Sequence, residues 1–178
     1  MFNRIFITGA SGCGVSTLGK CLGRAKDATW VDSDDYYWMP TDPPFSVKRP
    51  EAQRVLLMRE ALGAGAWVLS GSLDGWGDRL IMAADLIVFL IVPSEVRIAR
   101  LKKRESDRFG ARILVGGDMF EKHRDFMIWA SQYDNSNFSG RTKHRHEKWL
   151  DSLGKPVLKL DGQMPVSDII ARVLSVSN

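Results

Sequence analysis

The chain has 178 residues, 44% of them hydrophobic and 26% charged, which is a globular composition and argues against disorder as the main state. This length predicts a single domain, residues 1–178, with one sizeable core. A net charge of +4 suits an anionic small ligand and is too weak to indicate a nucleic-acid partner, and the two cysteines, Cys13 and Cys21, do not form the C-x-x-C pair of zinc or redox proteins.

Strands and helices are predicted to alternate from the first residues, with no signal peptide before them. Short apolar runs predict strands at residues 4–8, 29–32, 67–70, 86–92 and 157–160. Amphipathic spacing and capping residues predict helices after residue 17 and at about residues 50–63, 94–105, 119–133 and 166–174. The longest apolar run, residues 86–93, is too short to span a bilayer, so we expect a cytoplasmic protein with no membrane partner.

This alternation predicts an α/β fold, in which helices cover both faces of a parallel sheet. Ligands of such sheets bind beyond the carboxyl ends of the strands. The segments that follow the first strands are therefore the candidate site.

The first of these segments, residues 9–17, fits the phosphate-binding template G-x-x-x-x-G-K-[ST] between a strand and a helix. Its glycines allow backbone N–H groups to turn around phosphate oxygens, and the helix N-terminus adds partial positive charge. We therefore expect a bound nucleoside triphosphate, with the hydroxyl of Ser16 also on Mg²⁺. The predicted nucleotide contacts are Gly9, Ser11, Gly12, Cys13, Gly14, Val15, Ser16 and Thr17.

Val15 stands where the template has lysine. A lysine there would bridge the β- and γ-phosphates, and Lys20, roughly 140° further around the helix, is a poor substitute. Either another cation takes over the charge, or the loop binds nucleotide without turnover. A glycine-rich turn that binds nothing is the least favoured interpretation.

An acidic turn, residues 32–35, follows the second strand. If the strand continues through Ser33, Asp32 and Asp34 point to the same side, with Asp32 in the Mg²⁺ shell and Asp34 orienting the acceptor hydroxyl. The alternative is a turn that caps a helix or faces solvent. The aromatic residues 36–38 either wall an acceptor pocket or cover the core, and the glycine turn at residues 70–77 either lines that pocket or is a surface loop.

An arginine stripe is predicted on the helix after the fourth strand, at spacings of three, four and four: Arg97, Arg100, Arg104 and Arg108. Guanidinium groups match phosphate oxygens well, so we expect Arg100 and Arg104 to approach phosphate and one of them to supply the charge that Val15 does not. The alternative is a solvated face, paired with nearby acids. The glycine-containing stretch at 109–117 is typical of a lid hinge.

A second basic segment, residues 140–147, contains two histidines and two arginines. His144 and His146 without a third ligand make a poor metal site. For Arg141 and Arg145, a solvated basic face is favoured over contact with phosphate.

These motifs resemble the P-loop kinases of small metabolites and nucleoside monophosphates, the adenylate kinase and shikimate kinase group, over nearly the whole chain. Within it they are similar to bacterial adenylate kinase-like proteins whose loop lacks the lysine. The resemblance implies a P-loop NTPase fold with a five-stranded parallel sheet in the order 2-3-1-4-5 and a helical lid, at about residues 105–145. It implies ATP and Mg²⁺ as cofactors, and an R-x-x-x-R pair at the nucleotide that Arg100 and Arg104 match. True adenylate kinase activity is not implied, because Ser70-Gly71-Ser72 replaces the D-G-F-P-R pattern.

The sequence thus predicts an ATP-dependent phosphotransferase that acts on a small-molecule or nucleotide acceptor, as a monomer or homodimer. The alternative is a nucleotide-binding regulatory protein that is non-catalytic or weakly hydrolytic. The paired acids and the aromatic segment 36–45 favour a second substrate, and hence the kinase, while Val15 favours the regulatory protein.

Overall fold

The centre of the computed structural model, which describes residues 2–176, is a five-stranded sheet in the order β2-β3-β1-β4-β5, with every neighbouring pair parallel. The strands are β1 (Arg4–Gly9), β2 (Thr29–Asp32), β3 (Trp67–Ser70), β4 (Leu86–Ile91) and β5 (Val157–Asp161). The predicted strand order and the five predicted strands are therefore confirmed, with bounds that differ by at most one residue.

Eight helices flank this sheet in the described part of the chain. They are α1 (Val15–Ala25), α2 (Ser33–Tyr37), α3 (Glu51–Leu62), α4 (Asp78–Ile81), α5 (Ser94–Phe109), α6 (Phe120–Ser131), α7 (Lys143–Ser152) and α8 (Val166–Val176), with 3-10 turns at Gly110–Ile113 and Gln132–Asp134. The sequence predicted α1, α3, α5, α6 and α8, ended α5 a turn too early, and missed the short α2 and α4 and the charged α7.

The sheet separates two apolar cores, because successive side chains of a strand point to opposite faces. In β1, Ile5 and Ile7 face the first core and Phe6 faces the second. The first core is covered by α1 and α8, through Leu18, Leu22, Ile169 and Val173. The second is covered by α3, α4 and α7, through Met58, Leu62, Ile81 and Leu150. Burial on both faces accounts for the continuous apolar run of β4.

The register of the strands brings the phosphate loop and the acidic turn to one edge of the sheet. Gly9, at the end of β1, pairs with Leu90, and Asp32, at the end of β2, pairs with Ser70. Since all strands are parallel, the loops that follow them leave the sheet on the same side. This edge is the one at which the sequence predicted the ligand.

The predicted lid region, at about residues 105–145, contains the end of α5, the first 3-10 turn and α6. Its base is fixed by Arg97, which is only 1% exposed. Arg97 donates from Nη2 to Asp134 over 2.7 Å and from Nε to the carbonyl of Val92 over 3.1 Å. One member of the predicted arginine stripe is thus a structural brace, while movement of the lid stays a prediction.

No helix within residues 2–176 is both long and apolar enough to cross a membrane.

Candidate active site

The phosphate loop leaves β1 at Gly9 and enters α1 at Val15. Gly12 and Gly14 adopt the left-handed φ values of +86° and +90° that glycine tolerates best. A Cβ atom added at Gly14 would meet no atom within 4 Å, whereas one at Gly12 would lie 2.7 Å from the carbonyl oxygen of Arg97. Gly14 therefore borders open space at the start of an 11-residue helix, where backbone N–H groups can receive a phosphate.

Residues of neighbouring elements pack against the phosphate loop. Cys13 is buried, burial raises the pKa of its thiol, and its N–H donates to the carbonyl of Ala10 over 3.1 Å. A Cβ atom added at Gly162, in the connection from β5 to α8, would lie 2.9 Å from the carbonyl oxygen of Cys13. Cys13 therefore helps to fix the loop, and its contact with phosphate stays a prediction.

Val15 is half-buried and packs against the first core. Its Cγ2 lies 3.3 Å from the position that a Cβ atom of Gly9 would take. Ser16 and Thr17, one and two residues further along α1, are exposed. The loop thus presents hydroxyl groups and backbone to solvent, and the template lysine is replaced by a side chain that packs on the protein.

At Asp32 the structure follows the alternative prediction for the acidic turn, a turn that caps a helix. β2 ends there instead of continuing through Ser33, because Asp32 caps α2: its Oδ1 accepts from the N–H of Asp34 over 3.1 Å. Its Oδ2 accepts from the hydroxyl of Ser70 over 3.2 Å. Each oxygen keeps a second lone pair that is free to accept from a metal-bound water. The place of Asp32 in a Mg²⁺ shell stays a prediction.

Asp34 lies in the first turn of α2, and its carboxyl group has a raised pKa although the residue is exposed. Its side chain reaches solvent, yet surrounding protein displaces enough water to raise its pKa to about 6, with the neighbouring Asp32 carboxylate adding to the rise. The charges of Arg104 and Arg141 oppose that rise, so both guanidinium groups act on Asp34. A carboxylate with a pKa near neutrality is well matched to accepting a proton.

Three of the four stripe arginines share an open cavity. Arg100, Arg104 and Arg108 line about 450 Å³ together with Lys103 and Asp107. Arg100 donates from Nη1 to the carbonyl of Gly162 over 3.1 Å, which places it next to the segment that braces the phosphate loop. Arg104 pairs with the buried Glu105 over 2.8 Å and keeps about half of its own side chain exposed. Whether Arg100 and Arg104 contact phosphate stays a prediction.

Arg141 lies at the phosphate loop, although the sequence favoured a solvated face for it over contact with phosphate. Its Nη2 donates to the carbonyl of Gly9 over 3.2 Å, and its Nε is buried without a hydrogen-bond partner. The predicted solvated face is therefore wrong for Arg141, although Arg145 is about half exposed and pairs with Asp74 over 3.1 Å. Nothing in the basic segment itself distinguishes the two arginines. Thr142 caps the start of α7 between them, and this helix was not predicted from the sequence.

His146 ties α7 to the strand that leads into the phosphate loop. Its Nε2 lies 3.1 Å from the hydroxyl of Thr8, and its Nδ1 lies 2.9 Å from the hydroxyl of Tyr133. Burial, together with the charge of Arg141, lowers the pKa of His146 to about 3, so the ring is neutral. Within residues 2–176 there is no group of three or more histidine, cysteine or acidic side chains that could hold a metal ion.

Aromatic rings follow the acidic turn and contact one another. Tyr37 lies 4.9 Å from Trp38 and 5.8 Å from Trp76, which belongs to the predicted glycine turn. Trp38 in turn lies 5.9 Å from Phe45, and the guanidinium of Arg54 stacks 4.0 Å over Tyr37. These rings could wall an acceptor pocket, as the sequence suggested for Tyr37 and Trp38. Tyr36 instead packs against the second core.

Comparisons with known proteins agree with this architecture. Residues 5–114 match the model of the AAA domain family. The protein "Uncharacterized protein YqaC" of Bacillus subtilis (strain 168) is 41% identical over 175 residues, which cover 98% of this chain and 97% of that protein.

Two solved structures illustrate the likeness of fold. Shikimate kinase from Acinetobacter baumannii, in complex with shikimate, has a TM-score of 0.59 at 13% identity, over 99% of this chain and 93% of that one. Deoxyadenosine kinase from M. mycoides, with bound dATP, has a TM-score of 0.55 at 12% identity, over 98% of this chain and 99% of that one. The predicted resemblance to P-loop kinases of small molecules and nucleosides is confirmed at the level of fold.

Proposed function

Because this chain belongs to the AAA domain family and has the fold of the P-loop kinases, we propose that it is an ATP-dependent phosphotransferase whose acceptor is a small molecule or a nucleotide. One observation carries the proposal: Asp34, a carboxylate with a pKa of about 6, follows β2 at the same sheet edge as the open glycine loop. A protein that only binds nucleotide has no need of a proton acceptor there.

The donor site lies at the N-terminus of α1. The triphosphate is held by backbone N–H groups beside Gly14, where the structure leaves open space. The exposed hydroxyl of Ser16 and, through water, Asp32 suit Mg²⁺, whose part would be to neutralise phosphate charge.

The transfer itself requires an acceptor hydroxyl between Asp34 and the terminal phosphate. Asp34 takes the proton of that hydroxyl, and the acceptor oxygen forms a bond to the γ-phosphorus. The bond between this phosphorus and the β–γ bridging oxygen breaks, and the nucleoside diphosphate leaves with the electron pair. Positioning and charge stabilisation supply most of the rate, because the transition state is loose. Arg104, whose charge acts on Asp34, would stabilise the negative charge of the transferring phosphate.

The second candidate is a regulatory protein that binds nucleotide without transferring phosphate. It is favoured by Val15, which puts an uncharged, half-buried side chain in the place of the lysine that carries transition-state charge in the template.

A screen for acceptor-dependent ADP release distinguishes these functions. The wild-type protein with ATP and Mg²⁺ is assayed against polyols, hydroxy acids, nucleosides and nucleoside monophosphates. Release that depends on one acceptor, is lost in Asp34→Asn and persists in the matched control Asp35→Asn supports the kinase. Release without any acceptor indicates a hydrolase, and ATP binding without release on any acceptor indicates the regulatory protein.

A further inference from the structure

The phosphate loop carries no positively charged side chain of its own. Residues 9–17 contain only glycine, alanine, serine, cysteine, valine and threonine. Backbone N–H groups can hold phosphate oxygens, but a triphosphate brings several negative charges to one place. A cation from elsewhere in the chain is therefore needed if the site is to stabilise those charges as the template lysine does.

The arginines of α5 are largely engaged with other groups. Arg97 is paired with Asp134, Arg100 donates to the carbonyl of Gly162, and Arg104 is paired with Glu105. Arg108 lies over the rings of Phe45 and Phe109. None of these four side chains forms a hydrogen bond to the phosphate loop in the described part of the chain.

Arg141 does form such a bond, to the carbonyl of Gly9, the first residue of the loop. Across residues 2–176 no carboxylate forms a salt bridge with Arg141, and its Nε is buried and unpartnered. Burial lowers the pKa of Arg141, while Tyr133 and the carboxylates of Asp34 and Asp74 act in the opposite direction. A partly buried guanidinium that forms no salt bridge with a carboxylate is costly, and an anion bound beside it relieves that cost.

The surroundings of Arg141 hold it in place. Its guanidinium lies 5.5 Å from the centre of the Trp129 ring and 6.0 Å from that of Tyr133. The next residue, Thr142, caps α7, and His146 of α7 is linked both to Tyr133 and to Thr8, the residue before the phosphate loop. The cation is thus fixed relative to the loop before any ligand arrives, which is the condition for strong electrostatic stabilisation.

We propose that Arg141 binds the β- and γ-phosphates of the nucleotide and takes the place of the lysine absent at Val15. The inference rests on the proposed nucleotide site. It assigns the missing positive charge to Arg141, in the segment before α7. The sequence analysis had instead assigned that charge to Arg100 or Arg104 of α5. The planar fork of a guanidinium suits two phosphate oxygens at once.

The test compares Arg141→Met with its matched control Arg145→Met, which removes a neighbouring, exposed arginine of the same segment. Calorimetry should show ATP affinity lowered between about 10- and 100-fold in Arg141→Met, the usual loss for a hydrogen bond to a charged group, and nearly unchanged in the control. Inorganic triphosphate alone should raise the melting temperature of the wild-type protein much more than that of Arg141→Met.

A rescue variant separates this role from a structural one. Val15→Lys in the Arg141→Met background should restore most of the lost affinity, because it returns the charge from the template position. Arg141→Lys, which keeps the charge, should lose less than Arg141→Met. Unchanged ATP affinity in Arg141→Met, or a loss that Val15→Lys does not restore, overturns the inference.

The same data keep this inference distinct from the proposed function. If Arg141→Met weakens ATP binding and Val15→Lys rescues it, but no acceptor is phosphorylated, the inference stands and the phosphotransferase is wrong. If the wild-type protein transfers phosphate and Arg141→Met binds ATP equally well, the phosphotransferase stands and the inference is wrong.

Discussion

Replacing Asp34 with asparagine removes the proposed proton acceptor while keeping the size and shape of the side chain. We expect kcat to fall by about 100-fold or more, the usual scale for loss of a general base. The pKa of Asp34 is raised to about 6, chiefly by loss of water and secondly by Asp32. Wild-type kcat/KM should therefore rise with pH through about 6, as the carboxyl group loses its proton, and Asp34→Asn should lack that inflection.

The same pKa shift predicts how the free energy of unfolding changes with pH and with the substitution Asp34→Asn. Because the folded-state pKa lies above the ordinary value of 3.8, the native state holds the proton more tightly than the unfolded chain, and stability from this group is lost as pH rises through about 6. Asparagine has no proton to lose, so Asp34→Asn should be more stable than the wild-type protein above that pH. The full difference in pKa corresponds to about 3 kcal/mol, but the side chain is exposed and screened by water, so we expect a gain below about 1 kcal/mol.

Steady-state kinetics of phosphoryl transfer between about pH 5 and about pH 8, with urea unfolding at both ends, measure the two effects. Asp35→Asn is the matched control, since it removes an acid from the same turn. If Asp34→Asn transfers phosphate at the wild-type rate and keeps the inflection, Asp34 is not the base. If Asp32→Asn is inactive instead, the roles of the two acids are exchanged.

Three further substitutions probe the phosphate loop, an arginine of α5 and the acidic turn. Gly14→Val should abolish nucleotide binding in calorimetry, because its side chain enters the open phosphate space at a φ of +90°; unchanged affinity would show that phosphate binds elsewhere. Arg104→Ala should lower turnover at least tenfold, roughly the loss of one charged hydrogen bond, and should reduce stability by a smaller factor, through loss of its pair with the buried Glu105; a fall in melting temperature without a fall in turnover would make Arg104 structural. Ser33→Ala should cost about 1–2 kcal/mol in urea unfolding, because the buried Ser33 hydroxyl accepts from the N–H of Ser72, and a neutral result would contradict that contact.

Much of the fold followed from local sequence signals. The apolar run of β4 is buried on both sides of the sheet, and the glycine spacing of residues 9–17 places the loop between β1 and α1. These features depend on residues close together in the chain. The helix α7 was missed because most of its ten residues are charged or polar and only His146 and Leu150 are buried.

The site was predicted less completely because its geometry depends on contacts between distant segments. The end of β2 at Asp32 was predicted, but nothing local shows that Asp32 would cap α2 and accept from Ser70, 38 residues away. Arg97 could not be separated from Arg100 and Arg104 by spacing alone, although it is buried against Asp134. Arg141 reaches Gly9 across 132 residues, and no periodicity of residues 140–147 carries that information.

The fate of the γ-phosphate tests the central claim most directly. ATP labelled in its γ-phosphate is incubated with the protein, Mg²⁺ and the acceptor that gives the fastest ADP release in the screen, and the products are separated by charge. We expect the label on the acceptor with the wild-type protein and with Asp35→Asn, and almost none there with Asp34→Asn. Label found only in inorganic phosphate, or remaining in ATP with every acceptor although ATP binds, would contradict the assignment of this protein as a phosphotransferase.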